Sequence, residues 1–336
     1  MIKYSATKYS VIKYSAIKYS VIKYSAIKYG ECKLTEIIFE HVKDFSLEHI
    51  FECGQAFRWE KTDDGSYSGV VSGALANISF SPDAGQEYAG RLVVRVCGTT
   101  SPGSLKSPKS AEFWTDYLDL SRDYGEIKRK LTDGDEVMIR AAACGAGIRI
   151  LNQDPWETLI SFIISQNNHI PRIKGCVESL CRHFGERFVM NGGGEYFAFP
   201  DIERLAERLS DYGVQALEPC RLGYRARYIE EAVKQVSARG GADYLESLKQ
   251  LSFEQACKEV SSIHGVGPKV ASCVLLFGLG KREGFPVDVW IARAMSEFYG
   301  LEEDDKAAAK AYAERRFGEH AGIAQQYLFY YARSQK

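Results

Sequence analysis

Ser262-Ile263-His264-Gly265-Val266-Gly267-Pro268-Lys269-Val270-Ala271-Ser272-Cys273 is followed, nineteen residues after Lys269, by Asp288 in Pro286-Val287-Asp288-Val289. The stretch reads as a helix end, a tight glycine hairpin and a second helix, with an acid opening a third. Upstream, Ser252 with Gln255 three residues on is a capping-box start. Phe253, Ala256, Cys257 and Val260 supply an apolar stripe at helical spacing. Gly265 and Gly267 permit unusual dihedrals and a close approach of backbone to something outside. Pro268 suits the first turn of the next helix, whose predicted buried face is Val270, Cys273, Val274 and Phe277. The amides of His264, Gly265, Val266 and Gly267, with a helix N-terminus behind them, make an anion site that a DNA phosphate fits.

Such a hairpin alone holds DNA without doing chemistry. Lys269 lies in the first turn of a helix, where the positive end of the dipole favours the neutral, nucleophilic amine. Asp288 reads as an N-cap, a position that keeps a carboxylate ionised and able to steady a developing cation. Taken singly, Lys269 is equally a phosphate-contacting lysine and Asp288 a plain cap. As a unit the segment resembles the helix-hairpin-helix superfamily of base-excision DNA glycosylases. The resemblance implies Lys269 as nucleophile at the sugar C1′ and Asp288 as the catalytic aspartate.

Three further segments narrow it: Gly54-Gln55-Ala56-Phe57-Arg58-Trp59, Leu222-Gly223-Tyr224-Arg225-Ala226-Arg227-Tyr228 and Ala321-Gly322-Ile323-Ala324-Gln325-Gln326-Tyr327-Leu328-Phe329. In this order they resemble the 8-oxoguanine DNA glycosylase family, from about Ile37 to Ser334. The lesion differs from guanine at N7, which carries a hydrogen, so a backbone carbonyl aimed there accepts from the lesion and repels the normal base. The resemblance implies that Gly54 provides this carbonyl. Gln325 and Phe329, four apart, share a helix face; by resemblance the amide reads the Watson–Crick edge and the ring stacks on the base. Cys273 is matched to the residue covering the other face of the base, which is flipped out of the duplex. Judged alone, Gly54 is a turn glycine, and Phe329 and Cys273 are core residues.

Asp154-Pro155-Trp156-Glu157 has an N-cap, a proline at the first position and a glutamate at the third, and opens a buried helix with Leu159, Ile160, Ile163 and Ile164. It ends at Ser165-Gln166-Asn167-Asn168-His169. By resemblance Asn167, Arg172 and Arg225 contact the orphaned cytosine, to whose acceptor edge arginine forks are suited, and Tyr224 is the wedge. The alternative is a solvated loop with phosphate-binding arginines. Two residues depart from the family pattern: His169 stands where a third asparagine is common, and Trp290 where a histidine commonly touches a phosphate.

The expected fold is α+β. A small antiparallel sheet domain (34–145) precedes a helical domain (146–336) of two mainly helical lobes with the DNA cleft between them and the helix-hairpin-helix at 252–279. Strand-like runs cover 67–71, 76–80 and 91–96, a Gly/Ser/Pro-rich loop covers 98–110, and helical patterns dominate from Glu112 on. Residues 1–33 hold a pentapeptide repeat, Ile-Lys-Tyr-Ser-Ala/Val. Its period fits neither a helix nor a one-sided strand, so it reads as low-complexity and disordered. It is either a translated DNA repeat upstream of the true start or a Lys/Tyr tail that grips DNA. Residues 1–30 contribute six lysines and no acid, so against −1 for the whole chain the rest carries −7. A DNA-binding body so charged must gather its cations on one face, such as Arg172, Lys174, Arg221, Arg225, Arg227, Lys269 and Lys281.

The nine cysteines include no Cys-x-x-Cys and are odd in number, which reads as reduced thiols. No cysteine quartet follows Cys273, so an iron–sulfur cluster is not expected, nor is any metal or cofactor. No segment reaches membrane-spanning length. Expected are a monomer, double-stranded DNA containing oxidised guanine as partner, and a non-secreted location, the nucleoid in a bacterium or the nucleus in a eukaryote. Two alternatives stay open: a glycosylase of the same superfamily for another damaged base, and a non-catalytic DNA-binding module.

Overall fold

A computed structural model of the chain describes residues 10–14, 17–23, 34–97, 107–189, 194–303 and 305–335. The N-terminal strands are β1 (Ser10–Tyr14), β2 (Ile17–Lys23), β3 (Thr35–Lys43), β4 (Trp59–Lys61), β5 (Tyr67–Val71), β6 (Ala74–Asp83) and β7 (Gln86–Cys97). They form one antiparallel sheet in the order β1-β2-β3-β7-β6-β5-β4. The expected strands are β5 and parts of β6 and β7. The expectation omits β3, whose Ile37-Ile38-Phe39 is a continuous apolar run without alternation, and β4, which is three residues long. On β7, Leu92, Val94 and Val96 alternate onto the buried face. They share a core with Trp114 and Tyr117 of α2 (Ala111–Tyr117) and with α1 (Leu47–Phe51).

Within the repeat, residues 10–14 and 17–23 are strands, which corrects the disordered reading there. β2 pairs with β3 from Lys18 opposite Glu40 to Lys23 opposite Thr35, and β1 pairs with β2. Unpaired, β3 would be an edge with open backbone groups, and a run of Ile, Tyr and Val has high strand propensity. The rest of the repeat, and 98–106 of the expected loop, lie outside the described residues. Cys97 is disulfide-bonded, which corrects the reading of every cysteine as reduced.

The remaining helices are α3 (Tyr124–Thr132), α4 (Glu136–Cys144), α5 (Pro155–Ile164), α6 (Ile170–Phe184), α7 (Ile202–Tyr212), α8 (Arg225–Ala238), α9 (Gly241–Ser247), α10 (Phe253–Ser261), α11 (Pro268–Phe277), α12 (Val289–Tyr299), α13 (Lys306–Phe317) and α14 (Ala321–Ser334). A short hairpin, β8 (Arg187–Val189) and β9 (Glu195–Phe197), follows α6. Tyr124, Ile127, Leu131, Met138 and Ala141 of α3 and α4 join the helical core, where α4 packs on α14.

α5 begins as the sequence predicts: Asp154 accepts from the Glu157 amide and Pro155 occupies the first turn. All of its residues except Glu157 are buried, as are residues 270–277 of α11, and the two helices pack together. Around them lie two groups of helices. α6, α8 and α9 pack on α5 and α10 packs on α11, while α4, α12 and α13 gather on α14. The α14 N-terminus is tied to the segment after α11 by the Gly322 amide donating to Arg282 O at 2.7 Å. Among the described residues, no helix is long and apolar enough to cross a membrane.

Candidate active site

α10 carries both arms of its capping box: the Gln255 amide reaches Ser252 Oγ at 3.3 Å and the Ser252 amide reaches Gln255 Oε1 at 3.1 Å. The hairpin closes through the Val266 amide on Ile263 O at 3.0 Å. Gly265 has φ +83°, and a Cβ there would lie 2.4 Å from Cγ of Tyr228, so only glycine fits. The His264 amide already donates to Gln235 Oε1 at 3.2 Å, which removes it from the expected anion site. Among the described residues no acceptor takes the amides of Gly265 and Gly267, and these two still point to an anion.

Lys269 is half-buried in the first turn of α11. Its ammonium donates to Ser165 Oγ at 3.1 Å and lies 5.1 Å from the centre of the Phe162 ring. Ser165 is the C-cap of α5 and donates its own hydroxyl to Phe162 O. Cys273, one turn along α11, is 3% exposed. Burial pushes its thiol up to about 11, opposed by the charge of Lys269 and its hydrogen bond, and assisted by the charge of Asp288. Amine and thiol are therefore neighbours, and the Asp288 carboxylate is near enough for its charge to act on the thiol. Asp288 caps α12, its Oδ1 accepting from the Ile291 amide at 2.9 Å.

On the far side, Gly54 follows α1 with φ +83°. A Cβ at this position would meet the Phe329 ring at 3.4 Å and Ile170 at 3.5 Å, so glycine leaves a slot beside the ring. Phe329 is half-buried, and Arg333 stands 5.5 Å over its ring. One turn before it, Gln325 is 5% exposed and its Oε1 is buried with no hydrogen-bond partner among the described residues. An orphaned buried acceptor costs about 1–3 kcal/mol unless a ligand donates to it. The two halves are close: Ser165, which holds Lys269, and Ile170, which touches the Gly54 slot, bracket a single turn.

That turn carries the opposite-strand candidates. Asn167 is exposed with φ +47°, and Arg172 is exposed near the start of α6. His169 serves as the α6 cap, its Nδ1 accepting from the Arg172 amide at 3.4 Å, which is the work an asparagine would do there. Tyr224 is 50% exposed, with its hydroxyl on Gln166 O at 3.2 Å. Arg225 departs from expectation. It is 3% exposed and donates to Gln166 O, to Asn167 O at 2.9 Å and to Leu222 O at 3.3 Å. Its guanidinium holds the turn from beneath through two carbonyls of the turn, Gln166 O and Asn167 O. The expected basic face is likewise thinner. Lys281 donates to Lys249 O and Leu251 O, and Lys174 to Trp59 O, leaving Arg172, Arg221 and Arg227 as its exposed members.

Sequence reasoning missed Ser165, Gln153 and Gln326. Their signal is weak, since a serine at a helix end and glutamines beside better candidates have ordinary readings. Among the described residues no group of three or more His, Cys, Asp or Glu is placed to hold a metal ion.

Residues 160–319 match the HhH-GPD superfamily of base excision DNA repair proteins, the class that the hairpin and its lysine define. Residues 37–159 match the 8-oxoguanine DNA glycosylase N-terminal domain. The chain is 32% identical to the N-glycosylase/DNA lyase OGG1 of Arabidopsis thaliana, over 85% of this chain and 77% of that protein. It is 43% identical to the N-glycosylase/DNA lyase of Saccharomyces cerevisiae, over 77% of this chain and 69% of that one. The crystal structure of the Clostridium acetobutylicum 8-oxoguanine glycosylase/lyase with double-stranded DNA containing cytosine opposite 8-oxoguanine is similar at a TM-score of 0.77. It shares 33% identity and covers 92% of this chain and 99% of its own. The chain belongs to the 8-oxoguanine DNA glycosylase family.

Proposed function

We infer that this protein is a bifunctional DNA glycosylase and lyase that removes 8-oxoguanine from double-stranded DNA and cleaves the abasic strand. The observation that carries the reading is the Lys269 amine, held by Ser165 beside the Cys273 thiol, one turn away from the Gly54 slot at the Phe329 ring, with the buried, unpaired Oε1 of Gln325 one helical turn before that ring.

In the mechanism we propose, the Lys269 amine attacks C1′ of the flipped nucleotide. The bond from C1′ to the base breaks, and the base leaves with a proton. Asp288 holds its charge against the cationic sugar in the transition state. Loss of the C1′–O4′ bond gives a Schiff base on Lys269. Removal of a C2′ proton then expels the 3′ phosphate by β-elimination, and water releases the lysine. Ser165 holds the amine facing the pocket, and Cys273 stays a neutral thiol beside it.

The Gly54 carbonyl accepts N7–H of the lesion, Phe329 stacks, and Gln325 receives a donor from the base edge. Gly265 and Gly267 take a DNA phosphate. Asn167 and Arg172 favour cytosine opposite the lesion, and Tyr224 fills the vacated stack. The compartment we propose is the one that holds the DNA, nucleoid or nucleus. Incubation with duplex 8-oxoguanine:cytosine should release free 8-oxoguanine and a strand cut 3′ to the site, read by mass spectrometry and gel. Neither product, or equal cutting of undamaged duplex, would overturn the reading.

A further inference from the structure

Gly54 lies between two carbonyls that are both fixed by glutamine side chains. Gln326 Nε2 donates to Cys53 O at 2.6 Å, and Gln153 Nε2 donates to Gln55 O at 2.7 Å. The side chain of Gln55 is itself fully engaged. Its Nε2 donates to Ile50 O at 2.9 Å and Arg149 O at 2.8 Å, and its Oε1 accepts from the Leu151 amide at 2.9 Å. Cys53 and Gln55 are 0% exposed and Gln326 is 2% exposed, so water does not compete for these bonds. Among the described residues no donor reaches the carbonyl of Gly54 itself.

We propose that Gln326 and Gln153 are positioning residues that lock the 53–55 backbone so that the Gly54 carbonyl stays fixed toward the base. The inference rests on Gly54 being the carbonyl that tests N7. The anchors come from the two elements that matter most. Gln326 is on α14, between Gln325 and Phe329, and the Gln153 amide donates to Phe277 O, the last residue of the helix that carries Lys269, at 2.8 Å. The carbonyl that tests the lesion is thus tied to both the base pocket and the helix of the nucleophile. A peptide plane beside a residue at φ +83° turns easily unless its neighbours are held, and a turned carbonyl no longer separates a donor at N7 from its absence.

The test compares single-turnover base release from 8-oxoguanine:cytosine and from the 7-deaza analogue of the lesion, which has carbon where the lesion has N7–H. Borohydride trapping on an abasic duplex, which has no base to test, serves as the check for folded enzyme. The intact protein should prefer the lesion over the analogue by about tenfold or more, and Gln326→Leu should lose most of that preference. If Gln326→Leu does not trap, Gln153→Leu, whose side chain is only half-buried, is read in its place with the same expectation. An intact protein without any preference would remove the role of Gly54. A preference that is present in the intact protein and undiminished in a variant that traps would overturn the positioning role alone.

Discussion

Lys269, Cys273 and Gln325 are held on buried helices, whereas Asn167, Arg172 and Tyr224 stand on an exposed turn and on the segment beside it. The lesion side is finished before DNA arrives: the amine has its hydrogen-bond partner, the thiol is desolvated, and the backbone beside Gly54 is pinned. The opposite-strand side is supported from below by Arg225 but presents few fixed groups. Chemistry that depends on sub-ångström placement sits in rigid structure. On the function proposed above, reading the partner base is left to exposed side chains.

The largest effect expected from breaking this contrast is at Lys269. Lys269→Gln should lower excision by about a thousandfold or more, with lesion binding kept within a few-fold in a gel-shift titration. Phe329→Ala comes next, since base stacking on an aromatic ring is worth about 1–3 kcal/mol; base release should slow roughly ten- to a hundredfold. Opposite the lesion, Arg172→Ala and Arg225→Ala should separate. The first should weaken the preference for cytosine by about tenfold with Tm unchanged, because the residue is exposed. The second should lower Tm by several degrees, because it strips donors worth about 1–3 kcal/mol from the buried Leu222 carbonyl and the part-buried carbonyls of the turn. Equal Tm for the two variants would erase the distinction between reader and support.

The smallest effect concerns Cys273. Its thiol, raised to about 11 by burial, keeps its proton longer in the folded than in the unfolded chain. Its contribution to stability is therefore complete at pH 7 and is lost only as pH rises from about 9 to 11. Alkylation by iodoacetamide, mapped to Cys273 by peptide mass spectrometry, should stay slow at pH 8; fast labelling would show a thiolate beside Lys269.

Local rules made the hairpin, the cap at Asp154 and the capping box at Ser252 legible, because each depends on residues within one turn. β3 and the pairing of the repeat were not legible, because an open edge is visible only once the sheet exists. The placement of Arg225 was hidden for a related reason. Whether a guanidinium reaches DNA or the carbonyls of Gln166 and Asn167 depends on where a turn 58 residues earlier is folded. Gln326 stood beside Gln325 in the sequence, but only the folded Cys53 carbonyl tells their tasks apart.

The most direct measurement is borohydride reduction of the protein on duplex 8-oxoguanine:cytosine, followed by peptide mass spectrometry of the cross-link. The account predicts a sugar remnant on Lys269 and no cross-link in Lys269→Gln. A cross-link on a different lysine, or none alongside free base in solution, would contradict it.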